Sequence, residues 1–166
     1  MTDNLQFLHA NLSDNNQFED FWMLLNEYAN DIMGGGATLP IEKKEQLRIQ
    51  LPEIKDSYIL IAYIDGQPAG LANCFTGYST FNAAPLLNIH DFVVQANFRN
   101  KGIAFAMLKQ IEEYAREKNT ANLLWKYLKA IKEQYIYISP LVLPPMSLIL
   151  LWVKPFFLIR NYIEHL

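Results

Sequence analysis

Two basic side chains and a glycine, Arg99, Lys101 and Gly102, stand between an apolar segment and a helical pattern. Residues 86–95 before them are typical of a buried strand. A loop that enters a helix N-terminus presents unpaired N–H groups and the positive end of the helix dipole, so it attracts anions. With two cations in this loop, the favoured anion is a phosphate or pyrophosphate. The alternative is an ordinary helix N-terminus with solvated basic residues, and spacing alone leaves both interpretations open.

The helix after Gly102 is well marked, because apolar residues recur on one face and charged residues on the other. The apolar face is Ile103, Met107, Leu108, Ile111, Tyr114 and Ala115, and the opposite face is Lys109, Glu112, Glu113, Arg116 and Glu117. The sequence contains neither Gly-x-x-x-x-Gly-Lys-Ser/Thr nor Gly-x-Gly-x-x-Gly. Nucleoside-triphosphate and dinucleotide sites therefore lack their main support.

A polar pair, His90 and Asp91, interrupts the apolar strand before the loop. Because side chains alternate along a strand, we expect one of them to face the core and the other a cleft. Histidine titrates near neutral pH, which suits a base. The other interpretation is a histidine whose hydrogen bonds are satisfied within the sheet, and Asp91 is interpreted as a structural hydrogen-bonding residue.

The elements that must position these residues follow from periodicity and from turn residues. Asp65-Gly66 predicts a hairpin turn, and the order of elements predicts an α/β domain with a mixed, largely antiparallel sheet. The predicted strands are 5–8, 57–64, 68–76 and 86–95, the predicted helices are 17–33, 41–51 and one that begins at 103, and a long connection is expected over 77–85.

The composition is that of an ordinary globular domain, with 166 residues, 51% hydrophobic residues and a net charge of −3. No basic cluster occurs outside the anion loop, so no nucleic-acid partner is expected. Cys74 is the single cysteine, which predicts neither disulfides nor a metal site with paired cysteines. The N-terminus has no secretory pattern, and a cytoplasmic location is expected.

The segment Ile89-His90-Asp91-Phe92-Val93-Val94, followed by Phe98-Arg99-Asn100-Lys101-Gly102-Ile103-Ala104, resembles the acetyl-CoA-binding motif of the GNAT-type N-acetyltransferase superfamily. That motif is a strand, then Arg/Gln-x-x-Gly-x-Gly/Ala, then a long helix. The resemblance implies the GNAT acyl-CoA N-acyltransferase fold, α/β (α+β), with a mixed, mostly antiparallel sheet flanked by helices. It implies acetyl-CoA as co-substrate and no metal. The cofactor-binding residues that it implies are Phe92 and Val94 on the strand and Arg99, Asn100, Lys101, Gly102, Ile103 and Ala104 around the pyrophosphate.

The resemblance also suggests residues for the acceptor side. Polyamine-type acetyltransferases have a carboxylate one residue before their Asp-Phe pair, which puts His90 at the base-like position. Tyr78 and Phe81 lie where family members build the acceptor pocket, although single aromatics there are equally consistent with a plain surface. The implied partners are acetyl-CoA and a small amine, and many relatives form homodimers. The amine itself stays open among polyamines, amino-sugar antibiotics, protein N-termini and small metabolites.

After Lys118 the chain departs from the family pattern, which continues with an Asn-x-x-Ala helix start and Leu-Tyr-x-x-x-Gly-Phe. The tyrosine of that last motif is commonly placed as the general acid toward the CoA sulfur. This chain instead has an uncharged run over 134–153 with three prolines. The run is long enough to span a membrane, but its consecutive prolines argue against a regular span, and no membrane partner is expected.

If the codons after Lys118 are read one base out of register, free codon choice permits a sequence that contains the missing family residues at the family's spacing. We therefore interpret residues 1–118 as an incomplete acetyltransferase domain and 119–166 as an atypical apolar segment produced by a frameshift near Lys118–Asn119. Three functions follow as alternatives. The first is an N-acetyltransferase acting on a primary amine by direct attack, the second a catalytically impaired CoA-binding protein, and the third a membrane-anchored protein.

Overall fold

A computed structural model describes residues 4–31, 35–80 and 83–120 of the chain. Phe81 and nearly all of the atypical segment, residues 121–166, lie outside the described residues. The described elements are β1 (Leu5–His9), α1 (Asn15–Asn30), α2 (Ile41–Gln50), a 3-10 turn at Leu51–Glu53, β2 (Ser57–Ile64), β3 (Gln67–Ser79), β4 (Ala84–Val94), a 3-10 turn at Ala96–Phe98 and α3 (Ile103–Glu117).

The four strands form one antiparallel sheet in the order β1-β2-β3-β4. The turn between β2 and β3 has left-handed backbone at both Asp65 (φ 50°) and Gly66 (φ 79°). A two-residue hairpin needs this backbone to match the twist of its strands, so the hairpin prediction at Asp65-Gly66 is confirmed. An antiparallel sheet with helices packed against it also confirms the predicted fold class.

The predicted long connection over 77–85 is wrong. Gly77 pairs with Leu86 and Ser79 pairs with Ala84, so β3 and β4 form one continuous hairpin across most of that region. This end of the hairpin is largely exposed. Without a buried face, its strands carry no apolar alternation by which the sequence could reveal them.

The main core lies between α1 and the sheet. Phe18, Phe21 and Leu24 of α1 are completely buried, and they belong to one cluster with Ile59, Ile61, Leu71 and Val93 of the strands. Helix α1 begins where the Asp14 side chain accepts a hydrogen bond from Gln17 N at 3.0 Å. It ends at Asn30, three residues before the end predicted from the sequence at residue 33.

Helix α3 supplies the second core, with Ile103, Met107, Ile111 and Ala115 buried. Gly70 of β3 makes room for this helix, because a Cβ there would stand 2.8 Å from Met107 Sδ and 3.1 Å from Val93 O. The rings of Tyr58 and Tyr114 stack with centroids 3.8 Å apart. Across the described ranges, no helix combines the length and hydropathy needed to cross a membrane.

Candidate functional site

The site is built where β4 ends and α3 begins. After Val94 the chain makes the 3-10 turn, and Asn100 (φ 64°) and Gly102 (φ 77°) then adopt left-handed backbone. Gly102 is the N-cap of α3, and the first turn of this helix carries no acidic side chain. Ala106 N bonds back to Gly102 O at 3.1 Å, so the preceding amides of the first turn have no helical carbonyl to bond.

A cradle for an anion needs close backbone approach and positive charge, and this loop has both. A Cβ built on Gly102 would meet nothing within 4 Å, so open space lies beside the helix terminus. Lys101 is exposed, with its Nζ 5.8 Å from the centroid of the Phe98 ring. Of the residues predicted for the pyrophosphate, Asn100, Lys101 and Gly102 are exposed, Ala104 is half-buried and Ile103 is buried.

Arg99 has a different place from the other loop residues. Its Nε donates to Val94 O at 2.9 Å, and its Nη2 donates to Asp31 Oδ2 at 3.2 Å. The guanidinium therefore ties the end of β4 to the residue that follows α1. Gln95 makes a parallel connection, because its Nε2 donates to Glu27 Oε2 at 2.6 Å. Together these two contacts fix the loop against the last turn of α1.

The main-chain N–H and C=O groups of β4 point alternately to the two edges of this strand. Gln95 N bonds to Ala69 O at 2.9 Å, so Gln95 faces β3, whereas the N–H and C=O groups of Phe92 and Val94 point to the opposite edge. In the part of the chain that the structure describes, no strand pairs with that edge. Phe92 and Val94 thus direct their main-chain groups to this edge, where the Val94 carbonyl already accepts the hydrogen bond from Arg99 Nε.

The register of β4 slips at His90. Asn73 is opposite Asp91, whereas Cys74 is opposite Ile89. His90 therefore has no partner on β3 and is the extra residue of a β-bulge. We expected one of His90 and Asp91 to face the core and the other a cleft. In the structure the two side chains differ only in how far they are exposed. The His90 side chain is 65% exposed and that of Asp91 23%, and yet His90 Nδ1 lies 3.4 Å from Asp91 Oδ1.

Asp91 is the centre of a small polar cluster. Its Oδ2 accepts a hydrogen bond of 2.8 Å from Asn73 Nδ2. Burial, and secondarily the charge of Asp91, raises the pKa of the Tyr28 hydroxyl. The same two causes raise the pKa of the Cys74 thiol to about 12. Both groups are therefore protonated at neutral pH, and the charge of Asp91 acts on both of them.

Of the two predicted acceptor residues, Tyr78 lies away from this cluster, and Phe81 is outside the described residues. Tyr78 is 63% exposed and lies opposite Pro85 on the far end of the hairpin. That position is five residues from His90, or roughly 16 Å along a strand. Tyr78 therefore belongs to the outer end of the β3–β4 hairpin and not to the polar cluster.

Four residues of this region were not singled out from the sequence: Glu27, Tyr28, Asp31 and Asn73. Tyr28 fits the apolar stripe of α1, and Asn73 stands in an apolar strand whose partner in space is 18 residues away. Glu27 and Asp31 contact residues 68 positions later in the chain. Local patterns carry no signal for such pairings.

Comparison with known proteins gives a consistent result. Residues 22–132 match the model of a family described as Acetyltransferase (GNAT) family. Thialysine N-epsilon-acetyltransferase of Caenorhabditis elegans is 32% identical over 88 residues, which are 53% of this chain and 54% of that protein. The match thus spans about half the length of that relative. An uncharacterized N-acetyltransferase of Archaeoglobus fulgidus is 28% identical over 108 residues, 64% of this chain and 73% of that protein.

A solved structure shows the same fold. It is AAC(6')-Iy in complex with the bisubstrate analogue CoA-S-monomethyl-acetylneamine, with a TM-score of 0.57 and 15% identity over 70% of this chain and 74% of that one. The antiparallel sheet, the loop and the helix of this chain thus share the fold of that structure. The chain belongs to the acetyltransferase (GNAT) family, which confirms the family and the fold class predicted from the sequence and agrees with the predicted acyltransferase class.

Proposed function

We propose that this protein transfers the acetyl group of acetyl-CoA to a primary amine. The observation that carries the proposal is the loop with left-handed Gly102 and open space beside it at the N-terminus of α3. This arrangement fits a pyrophosphate, because oriented amides, the helix dipole and Lys101 all favour negative charge there. Phe92 and Val94, on the β4 edge facing away from β3, suit the pantetheine arm. The family match and the CoA portion of the analogue bound by AAC(6')-Iy support the same ligand.

In the proposed reaction the neutral amine attacks the thioester carbonyl within a ternary complex. A C–N bond forms, the C–S bond breaks, and CoA leaves as a thiolate that takes up a proton. The attacking nitrogen must also lose a proton, and His90 is the residue proposed to accept it. Its side chain is exposed at the bulge and adjoins the carboxylate of Asp91, which stabilises the imidazolium once it forms.

The acceptor is proposed as a small amine. The C. elegans relative is named for thialysine, and the analogue bound by AAC(6')-Iy carries acetylneamine, so both names point to amines. The Asp91 carboxylate beside His90 favours an acceptor that arrives as a cation, which must release one proton to solvent before the neutral amine attacks. Tyr78 and Phe81 stay proposed substrate contacts, a role that Tyr78 can fill only for an extended acceptor, because Tyr78 lies roughly 16 Å along the strand from His90.

Residues 119–166 are proposed to be the product of a frameshift near Lys118–Asn119. The nucleotide sequence tests this directly. An open shifted frame that encodes the family's missing motif supports the proposal, and stop codons throughout that frame refute it.

Thiol release from acetyl-CoA, measured with thialysine, lysine, neamine and spermidine as acceptors, tests the proposed reaction. We expect turnover with at least one amine and a loss of roughly 10²- to 10⁴-fold in kcat for His90→Gln. His9→Gln makes the same chemical change on β1 and should leave kcat unaltered. Tight binding of acetyl-CoA without turnover would identify a CoA-binding protein that has lost its activity, and absence of binding would refute the site.

A further inference from the structure

Asn73 is a buried polar residue that the proposed reaction does not yet use. It lies in β3 with only 3% of its surface exposed, next to Ala72 and Cys74, which are fully buried. Its amide is only half satisfied, since Nδ2 donates to Asp91 while Oδ1 is buried without a hydrogen-bond partner. Among the side chains that the structure describes, this oxygen is the one buried atom in that condition.

An orphaned acceptor in a core is unfavourable, and a leucine, whose side chain branches at the same atom, would occupy this position without that penalty. The amide therefore does not serve packing. What it supplies is a donor to Asp91 Oδ2 at 2.8 Å, directly across the bulge of β4. Buried unsatisfied groups of this kind are a mark of a functional constraint.

The hydrogen bond from Asn73 fixes one oxygen of the Asp91 carboxylate and thereby directs the other toward His90. Asp91 Oδ1 lies 3.4 Å from His90 Nδ1. A carboxylate at that nitrogen favours the tautomer with the proton on Nδ1 and leaves Nε2 able to accept a proton. The order of contacts is thus amide to carboxylate to imidazole.

We infer that Asn73 is a positioning residue that sets the tautomer and orientation of His90 through Asp91. The inference rests on the proposed function, in which His90 is the base. Among the described residues, Tyr28 from α1 and Cys74 from β3 also face the charge of Asp91, and both stay protonated and neutral at pH 7. Neither of them therefore offers the Asp91 carboxylate a positive charge.

The kinetic test uses Asn73→Leu, which removes the donor and the orphaned acceptor together. We expect kcat to fall roughly 10- to 100-fold, as for loss of a hydrogen bond to a charged group. KM for acetyl-CoA should stay within two-fold and Tm should not fall. In a His90→Gln background the same substitution should change kcat less than two-fold, because its effect passes through His90.

Cys74→Ala is the matched control, because it changes the buried residue next to Asn73. It should lower Tm while leaving kcat as in the wild type. The inference is overturned if Asn73→Leu lowers Tm and affects kcat equally with and without His90. Asn73 would then be a structural residue only.

A second measurement does not depend on turnover. Long-range ¹H–¹⁵N spectra report which imidazole nitrogen of His90 carries the proton, with His9 as the internal reference. We expect the Nδ1-protonated form to dominate in the wild type and to decline in Asn73→Leu. An unchanged His90 tautomer refutes the inference even where acetyl transfer is observed. A changed tautomer without any acetyl transfer supports the positioning role and refutes the proposed reaction instead.

Discussion

Placing a glutamate at Gly102 tests the anion loop most directly. Gly102 has φ 77° with open space around it, so the new side chain meets no atom but must adopt left-handed backbone. That conformation costs an L-residue roughly 1–2 kcal/mol. Gly66, at φ 79° and also in open space, provides a control with the same backbone penalty in the β2–β3 turn.

The charge of the glutamate is the decisive part of the change. Two unit charges about 4 Å apart interact by roughly 1 kcal/mol in bulk water and roughly 4 kcal/mol at an effective dielectric of 20. A carboxylate at the N-terminus of α3 also gains about 0.3–1 kcal/mol from the helix dipole, and it would hold the amides that the phosphate needs. The expected loss of binding free energy is therefore roughly 1–5 kcal/mol, or about 5- to 5,000-fold in Kd.

Isothermal titration with CoA measures this effect in Gly102→Glu, Gly102→Gln and Gly66→Glu. Gly102→Gln has nearly the same shape without the charge, so its difference from Gly102→Glu isolates electrostatics. That difference should shrink as salt is raised from 0.05 to 0.5 M, because salt screens exposed charges. We expect Gly66→Glu to bind CoA as the wild type does.

The result that would refute the reasoning is a Kd for CoA in Gly102→Glu equal to that of Gly66→Glu. Such a result would mean that the phosphates do not approach the N-terminus of α3. Equal losses in Gly102→Glu and Gly102→Gln, independent of salt, would instead assign the effect to backbone strain and would remove the electrostatic argument.

Three further predictions concern stability, each measured by urea unfolding. Glu19 has its pKa lowered first by the hydrogen bond from Lys44, so its contribution is complete above its ordinary value of 4.5 and is lost as the pH falls through the lowered value. Glu19→Gln should therefore cost under about 1 kcal/mol at pH 7 and less at acidic pH, where the carboxylate becomes protonated, and an equal cost at both pH values would contradict this. Tyr63→Phe removes a 2.8 Å hydrogen bond to a carboxylate on α1 and should cost about 1–2 kcal/mol, whereas the exposed Tyr78→Phe should stay within about 0.5 kcal/mol. Phe21→Ala empties a fully buried position and should cost about 3–5 kcal/mol, and a loss below about 1 kcal/mol would show that the core of α1 is misassigned.

Much of the fold could be predicted because its signals are local. The turn at Asp65-Gly66 needs left-handed backbone, and the apolar stripe after Gly102 has the period of a helix. Both elements lie where the sequence places them. The outer part of the β3–β4 hairpin was missed because it is exposed on both faces, so burial imposes no alternation there.

The loop from Arg99 to Ala104 was also recognisable from the sequence, since the anion cradle depends on consecutive residues and on the start of one helix. The ligand-binding role of each of these residues stays a prediction. The sequence did not indicate that Arg99 contacts Asp31 and Val94 O. The sequence pattern around an arginine in a glycine loop is the same whether its guanidinium binds a ligand or the end of a helix.

The amino-acid sequence by itself determined the family, the class of sheet and the position of the loop, because each depends on neighbours along the chain. Only the tertiary structure decided how His90, Asp91 and Asn73 meet. A one-residue slip in the pairing of β3 with β4 creates the bulge, and Asn73 and Asp91, which it brings together, are 18 positions apart in the chain. The partners of the loop on α1 are likewise 68 residues away, a separation at which only packing brings side chains together.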